Sequence, residues 1–325
     1  MSGLLETAGE RLVVGSSLPW VEDLIAEGAA GELHELDGDD VSTRVHVEAE
    51  RRPFATRGWE LVNRGTWRKG AELIVQNACA TGFDLYLRHE GDRAEFVYRW
   101  CPPARERAAA LILRSRFHLL ARAVLLQYPV LWRAGARGRA PLHASALTAG
   151  WSVPLVTAPS GIGRSTLVHA EVAAGGRATG DNLAVGDGKN LWGVVEPMRV
   201  SGAQGRAMAH GRNEAPMPGR IGELVPDALV VMRRGRSTDP VLRPCSPLDA
   251  ARSLTTSTYA AGELRRYWAY AATISAGSGV GPPHPPVHAV STAFAARLPC
   301  FSLELGAEPR GLAQLLAAVE VEACA

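Results

Sequence analysis

The residues best suited to chemistry fall between positions 140 and 200. The stretch "TAPSGIGRSTLVHA" (157–170) follows an apolar run, "VPLVT", and leads into a helix-like segment. Phosphate-binding loops of the form G-x-x-x-x-G-K-[ST] sit in this strand–loop–helix setting, where backbone N–H groups and the helix N-terminus together hold phosphate. Gly161 and Gly163 allow the backbone to come close to a phosphate. Ser165 stands where the Mg²⁺-binding hydroxyl belongs, and Ser160, Ile162 and Thr166 complete the loop. Two positions depart from the pattern: Ala158 replaces the first Gly and Arg164 the Lys. Only Lys69 and Lys189 are lysines, so Arg164 reads as a Lys exchanged in an arginine-rich, GC-rich composition.

Asp181, in "ATGDNLAV", lies where a strand runs out into a turn. A carboxylate beside a γ-phosphate accepts a hydroxyl proton or orients Mg²⁺, although Asp and Asn are also ordinary turn residues. His143, in "PLHASAL", precedes the loop. A lone His is most often structural, but the order His143, loop, Asp181 is itself a pattern.

In that order, residues from about 140 to 320 resemble the HPr kinase/phosphorylase family, in particular its short HPr kinase-like serine kinases. The resemblance is carried by "RGRAPLHASALTAGWSVPLVTAPSGIGRSTL", "GGRATGDNLAV", "WGVVEPMRV", "DALVVMRRG", "SPLDAARSL" and "LPCFSLELG", taken in sequence. It implies an α/β (α+β) nucleotide-binding domain of the kind shared with phosphoenolpyruvate carboxykinases, carrying a phosphate loop. It also implies ATP, Mg²⁺ and phosphoryl transfer to a hydroxyl, often that of serine. Under it Asp181 is the base, Ser165 and Glu196 are the metal ligands, Arg164 occupies the place of the phosphate-binding Lys, and His143 helps to position the site. Gly180 stands where the first acid of the family's acidic pair is expected.

These departures leave two readings. One is a kinase acting on a hydroxyl-bearing peptide, protein or small metabolite. The other is a catalytically weak or inactive relative that binds nucleotide or recognises a partner.

The elements needed to position these residues follow from patterning. Residues 41–100 alternate apolar and polar residues between turn signals and predict a small antiparallel sheet, within a β-rich N-terminal domain spanning 1–103. Residues 104–127 predict one helix with an apolar face of Leu111, Leu113, Phe117, Leu120, Ala121 and Val124, stopped by Pro129. A helical connection over 104–135 then leads into the nucleotide-binding domain, 136–325. Strands are expected over 142–148 and 152–157, in "NLWGVV", "DALVVMRR" and "PCFSLELG". Helices are expected over 164–174, in "SPLDAARSLTTSTY" with Ser246 as N-cap, and in "GLAQLLAAVEVEA"; "SAGSGVGPPHPPV" (275–287) reads as a loop.

The 325 residues, 46% hydrophobic and 21% charged with a net charge of +2, suit a globular protein with no nucleic-acid signature. The basic stretches 133–139 and 233–236 read as solvated turns, with anion contact as the minority reading. Five widely spaced cysteines without C-x-x-C indicate neither zinc nor a disulfide framework. The N-terminus lacks the layout of a signal peptide, and Arg114, Arg116 and Arg122 interrupt the most apolar helix, so a cytoplasmic location without membrane contact is expected. A homo-oligomer stays compatible with all of this. His284 and His288 are separated by prolines that argue for a loop, and "HGRNEAPMPGR" (210–220) is a candidate lid with Arg212, Asn213 and Arg220.

Overall fold

The computed structural model describes residues 2–36, 41–201, 206–208, 212–235, 237–306 and 311–323. The protein is mixed α/β with several sheets. "LDGDD" (36–40), His210, Gly211, Arg236 and Cys324 fall partly or wholly outside the described residues.

The N-terminal sheet is larger than its sequence pattern predicts. Its nine strands run in the order Leu33–His34, Ser2–Thr7, Glu10–Ser16, Thr43–Glu48, Arg93–Trp100, Phe83–Glu90, Glu72–Val75, Thr66–Lys69, Glu60–Asn63. The first two strands in the chain form a hairpin whose turn residues, Ala8 and Gly9, both take positive φ. The sheet is mixed, not antiparallel. Helix Pro19–Ala29 carries the chain back, so that Thr43–Glu48 enters parallel to Glu10–Ser16, and Arg93–Trp100 is parallel to it in turn.

The helical connection also differs. Ala104–Ile112 buries none of its residues, and Leu111 and Ile112 are each 79% exposed, so the expected apolar face begins only at Phe117. The chain breaks at Leu113, resumes as Arg114–Arg122, widens into a π-helical turn over Ala123–Gln127 and continues as Tyr128–Ala136. Pro129 therefore begins a helix and does not stop one. At the first turn its missing N–H is no loss, and the widened turn before it makes room for the ring.

The C-terminal half is built on a five-stranded sheet in the order Ala144–Ala146, Pro154–Thr157, Ala228–Arg234, Cys300–Leu305, Val241–Pro244, whose three central strands are parallel. Their buried runs follow from having both faces covered. Leu155, Leu229 and Val231 face Leu254 and Phe294, on helices Pro247–Ala260 and Val287–Arg297. Val156, Val230 and Met232 face Val168 and Val172 of helix Arg164–Ala173 and Leu312 and Leu316 of helix Leu312–Ala323. Ser246 caps its helix as expected, its hydroxyl accepting from the Asp249 N–H at 3.1 Å. Within 275–287, residues 279–286 form the expected loop, while helix Tyr267–Ser278 covers the start and Val287 opens the next helix. His284 lies before that helix and stacks on Trp268, while His288 lies within it.

A smaller sheet, Ala140–Leu142, Ala184–Gly186, Leu191–Gly193, Glu223–Leu224, abuts the first half of the chain. The largest core cluster joins Leu5, Phe96, Leu125, Val194 and Tyr270. Within it the Tyr98 hydroxyl donates to the Val124 carbonyl at 2.9 Å and lies 3.1 Å from the Tyr270 hydroxyl. Among the described residues no helix is long and apolar enough to cross a membrane.

Gly193 is the tightest point of this junction. Its carbonyl accepts from the Ala8 N–H at 2.9 Å, and a Cβ at Gly193 would stand 1.8 Å from the Thr179 carbonyl oxygen. Gly193→Ala is expected to cost about 3 kcal/mol, because backbone has to move; chemical denaturation measures it, and a loss below about 1 kcal/mol contradicts this packing.

Candidate active site

A cavity of about 610 Å³ opens where strand Pro154–Thr157 ends and helix Arg164–Ala173 begins. Gly161 and Gly163 take φ of 83° and 121°, which only glycine adopts without strain. A Cβ on Gly161 would meet nothing within 4 Å, so the loop's free side faces open space. Ala158 is buried without a positive φ, so the exchange of Gly for Ala costs nothing in backbone strain. Ser160, Ile162, Ser165 and Thr166 all line the cavity.

His143, Asp181 and Glu196 line it as well. His143 occupies the single-residue gap between Ala140–Leu142 and Ala144–Ala146, where the chain passes from one sheet to the other. Its backbone N–H donates to the Thr258 hydroxyl at 3.1 Å. Burial, then the nearby Arg164 charge, push its imidazole down to about 4, so it is neutral at pH 7. Its buried Nδ1 has no hydrogen-bond partner, and neither has the buried Asn182 Nδ2, which borders the same cavity.

Arg164 is buried, and its guanidinium turns to the protein backbone. Nη1 donates to the His143 carbonyl at 2.6 Å and Nε to the Asp181 carbonyl at 3.1 Å. Nη2 donates to the Asn182 carbonyl at 3.0 Å and to its side-chain Oδ1 at 3.1 Å. Of the five N–H donors of an arginine, four are thus occupied. Burial lowers its pKa to about 10, which leaves it charged at pH 7. Its charge reaches the site chiefly through Asp181.

Asp181 is deeply buried. Burial raises its pKa against the pull of Arg164, of Arg199 and of a hydrogen bond from the Ser165 hydroxyl. Glu196 is pushed up to about 8, first by burial and then by the Asp181 and Glu263 charges, with Arg199 opposing. Its Oε1 accepts from the Leu183 N–H at 3.2 Å. Arg199 lies 4.0 Å from Glu196 and donates to Glu263 at 3.1 Å. Glu263 stays below the usual carboxylate range, because a backbone hydrogen bond and Arg199 outweigh its burial. Three carboxyls therefore share two guanidiniums, with Arg212 and Arg234 also bordering the cavity. Arg234 donates to the Gly161 carbonyl at 3.3 Å, fixing the loop from outside.

This donor set fits Mg²⁺. Ser165, Asp181 and Glu196 offer hard oxygen atoms, and burial raises the pKa of both carboxyls. Among the described residues no cluster of three or more His, Cys, Asp or Glu is arranged to hold a metal ion. A cation here would thus take its remaining ligands from phosphate and water, as Mg²⁺ commonly does.

Patterning missed Arg199, Arg234 and Glu263 as site residues. Arg199 lies in "WGVVEPMRV", quoted above for the resemblance, and Arg234 at the end of the strand "DALVVMRR"; Glu263 comes from the distant turn after helix Pro247–Ala260 and carries no local signal. Within 210–220, Arg212 borders the cavity, whereas Arg220 is directed away, 3.3 Å from Glu32. Gly180 would accept a side chain, since a Cβ there makes only ordinary contacts of 3.5 Å. A scan of protein-family models and a search of curated proteins both return no match for the chain.

Two outcomes test this geometry. Arg164→Lys keeps the charge but loses most of the fork, leaving buried carbonyls unpaired. It is expected to destabilise the protein by about 2–4 kcal/mol, as read by denaturant unfolding, and not to repair the loop. Glu196, with its folded pKa raised from 4.5 to about 8, contributes stability that is complete below 4.5 and is lost as pH rises through about 8. Tm is expected to fall between pH 6 and 9 in the wild type and to stay flatter in Glu196→Gln, which has no proton to lose.

Proposed function

We propose that the protein is an ATP- and Mg²⁺-dependent phosphotransferase acting on a hydroxyl group, on an HPr kinase- and phosphoenolpyruvate carboxykinase-like nucleotide-binding fold, working in the cytoplasm. The observation that carries this reading is that the glycine loop, Ser165 in the first turn of the helix after it, and the buried Asp181 carboxyl line one cavity. It joins the place where phosphate would sit to a base whose raised pKa suits proton acceptance. The loop glycines and the first helical turn supply backbone N–H groups to the phosphates.

In this reaction Asp181 accepts the proton of the acceptor hydroxyl. The new bond joins that oxygen to the γ-phosphorus, the bond from γ-phosphorus to the β,γ-bridging oxygen breaks, and ADP leaves. Ser165 and Glu196 would hold Mg²⁺, which neutralises charge on the β- and γ-phosphate oxygens. Neutral His143 offers a ring nitrogen as a hydrogen-bond partner, and Arg164 fixes the backbone on either side of the site.

The commitment of Arg164 favours a second reading, in which the protein binds nucleotide or a partner without transferring phosphate. One N–H of its guanidinium is left for a ligand. Incubation with ATP, Mg²⁺ and serine-containing acceptors separates the two. Transfer adds one phosphoryl group by mass and releases ADP, and Asp181→Asn is expected to lower the rate about 10²–10⁴-fold while the fold survives. Thermal stabilisation by nucleotide with no turnover selects the second reading.

A further inference from the structure

A second cavity, of about 250 Å³, lies behind the first. Glu196, Arg199 and Glu263 border both, so these three side chains form a shared wall. The far side is framed by Gly28, by Leu119, Leu120 and Leu126, and by Val195 and Pro197. Five arginines border it against three glutamates. Arg122 is paired with Glu27 and Glu214, and Arg199 with Glu263. Arg266 donates to the Cys79 carbonyl. Arg116 and Arg265, both exposed, have no carboxylate partner among the described residues. The cavity thus combines an apolar floor, a mouth with uncompensated positive charge and a polar wall facing the candidate site.

We propose that this cavity binds a small anionic amphiphile beside the candidate site, since neither Asp181 nor the glycine loop lines it. The carboxylate or phosphate headgroup meets Arg116 and Arg265, and the short apolar body lies over Leu119, Leu120 and Leu126. A guanidinium matches either planar carboxylate or phosphate by paired N–H groups. The volume is below the roughly 300–1,000 Å³ of drug-sized sites, so it takes one compact molecule and not a protein surface. This binding stands apart from turnover.

The test is calorimetric titration of the full chain with 3-hydroxyhexanoate, its uncharged amide, and butyl phosphate. At least one anion is expected to bind tenfold or more tightly than the amide, and the tighter of the two identifies the headgroup. Arg116→Gln/Arg265→Gln is expected to remove that preference, and saturating ADP with Mg²⁺ is expected not to displace the anion. Absence of anion binding, neither anion binding more tightly than the amide, displacement by ADP, or an unchanged preference in the double variant overturns the proposal. Should the double variant fail to fold, the comparison of the two anions with the amide on the wild type decides. No arm reads phosphoryl transfer: failed turnover with intact anion binding removes the kinase reading alone, and intact turnover without anion binding removes this cavity alone.

Discussion

The site depends on one buried guanidinium. Arg164 begins the helix after the glycine loop, yet its side chain bonds to two segments remote in sequence, the sheet-to-sheet passage at His143 and the turn at Asp181 and Asn182. The Asp181 and Asn182 carbonyls accept from no backbone N–H among the described residues, and the His143 carbonyl also accepts from the Thr157 hydroxyl at 3.1 Å. Buried unpaired carbonyls are costly, and an arginine can reach three at once because its donors are fixed in a planar fork. A lysine ammonium is a point charge with three donors and no such reach. The exchange that looks like damage in the sequence therefore has a structural purpose: it fixes the relative positions of loop, histidine and carboxylate.

The N-terminal sheet takes part in the same positioning. The Val195 N–H donates to the Thr7 hydroxyl at 2.8 Å, and the Gly193 carbonyl accepts from Ala8. Glu196 follows immediately on this braced segment. Arg122, from the connecting helices, reaches Glu214 at 2.8 Å, two residues beyond Arg212 at the cavity. The continuous core through Leu5, Leu125 and Tyr270 makes these contacts rigid. Among the described residues, none of the first hundred lines the cavity, but they help to determine where one carboxyl of the site stands.

What the sequence revealed depended on whether a signal was local. The loop, Ser165, His143, Asp181 and Glu196 were named from short stretches with strand and helix patterns on either side, and the structure brings them to one cavity. Parallel strands such as "DALVVMRR" were legible because burial on both faces gives unbroken apolar runs. The hairpin at 2–16 was missed because Glu10–Ser16 is buried at all but one position and so shows no alternation. Pro129 was misread because a π turn absorbs the ring. Leu111 and Leu113 were assigned to a core face by spacing alone, yet both are exposed, and periodicity cannot say whether anything covers a face. The role of Arg164 was hidden, since nothing near it in sequence announces the carbonyls of 143, 181 and 182.

Asp181 is one of three carboxyls at the cavity. Glu196 and Glu263 occupy the same neighbourhood from other elements, and Arg199 divides its charge between them. Glu263 wins the larger share and stays ionised, while Glu196 holds its proton to about pH 8. A divalent cation arriving with phosphate would reverse that balance, because added positive charge lowers the pKa of every nearby carboxyl. Glu196 would then ionise and add negative charge only when ligand is present. Without ligand, its protonated form spares the buried site a further anion. Asp181 thus shares the cavity with carboxyls that the long-range fold delivers.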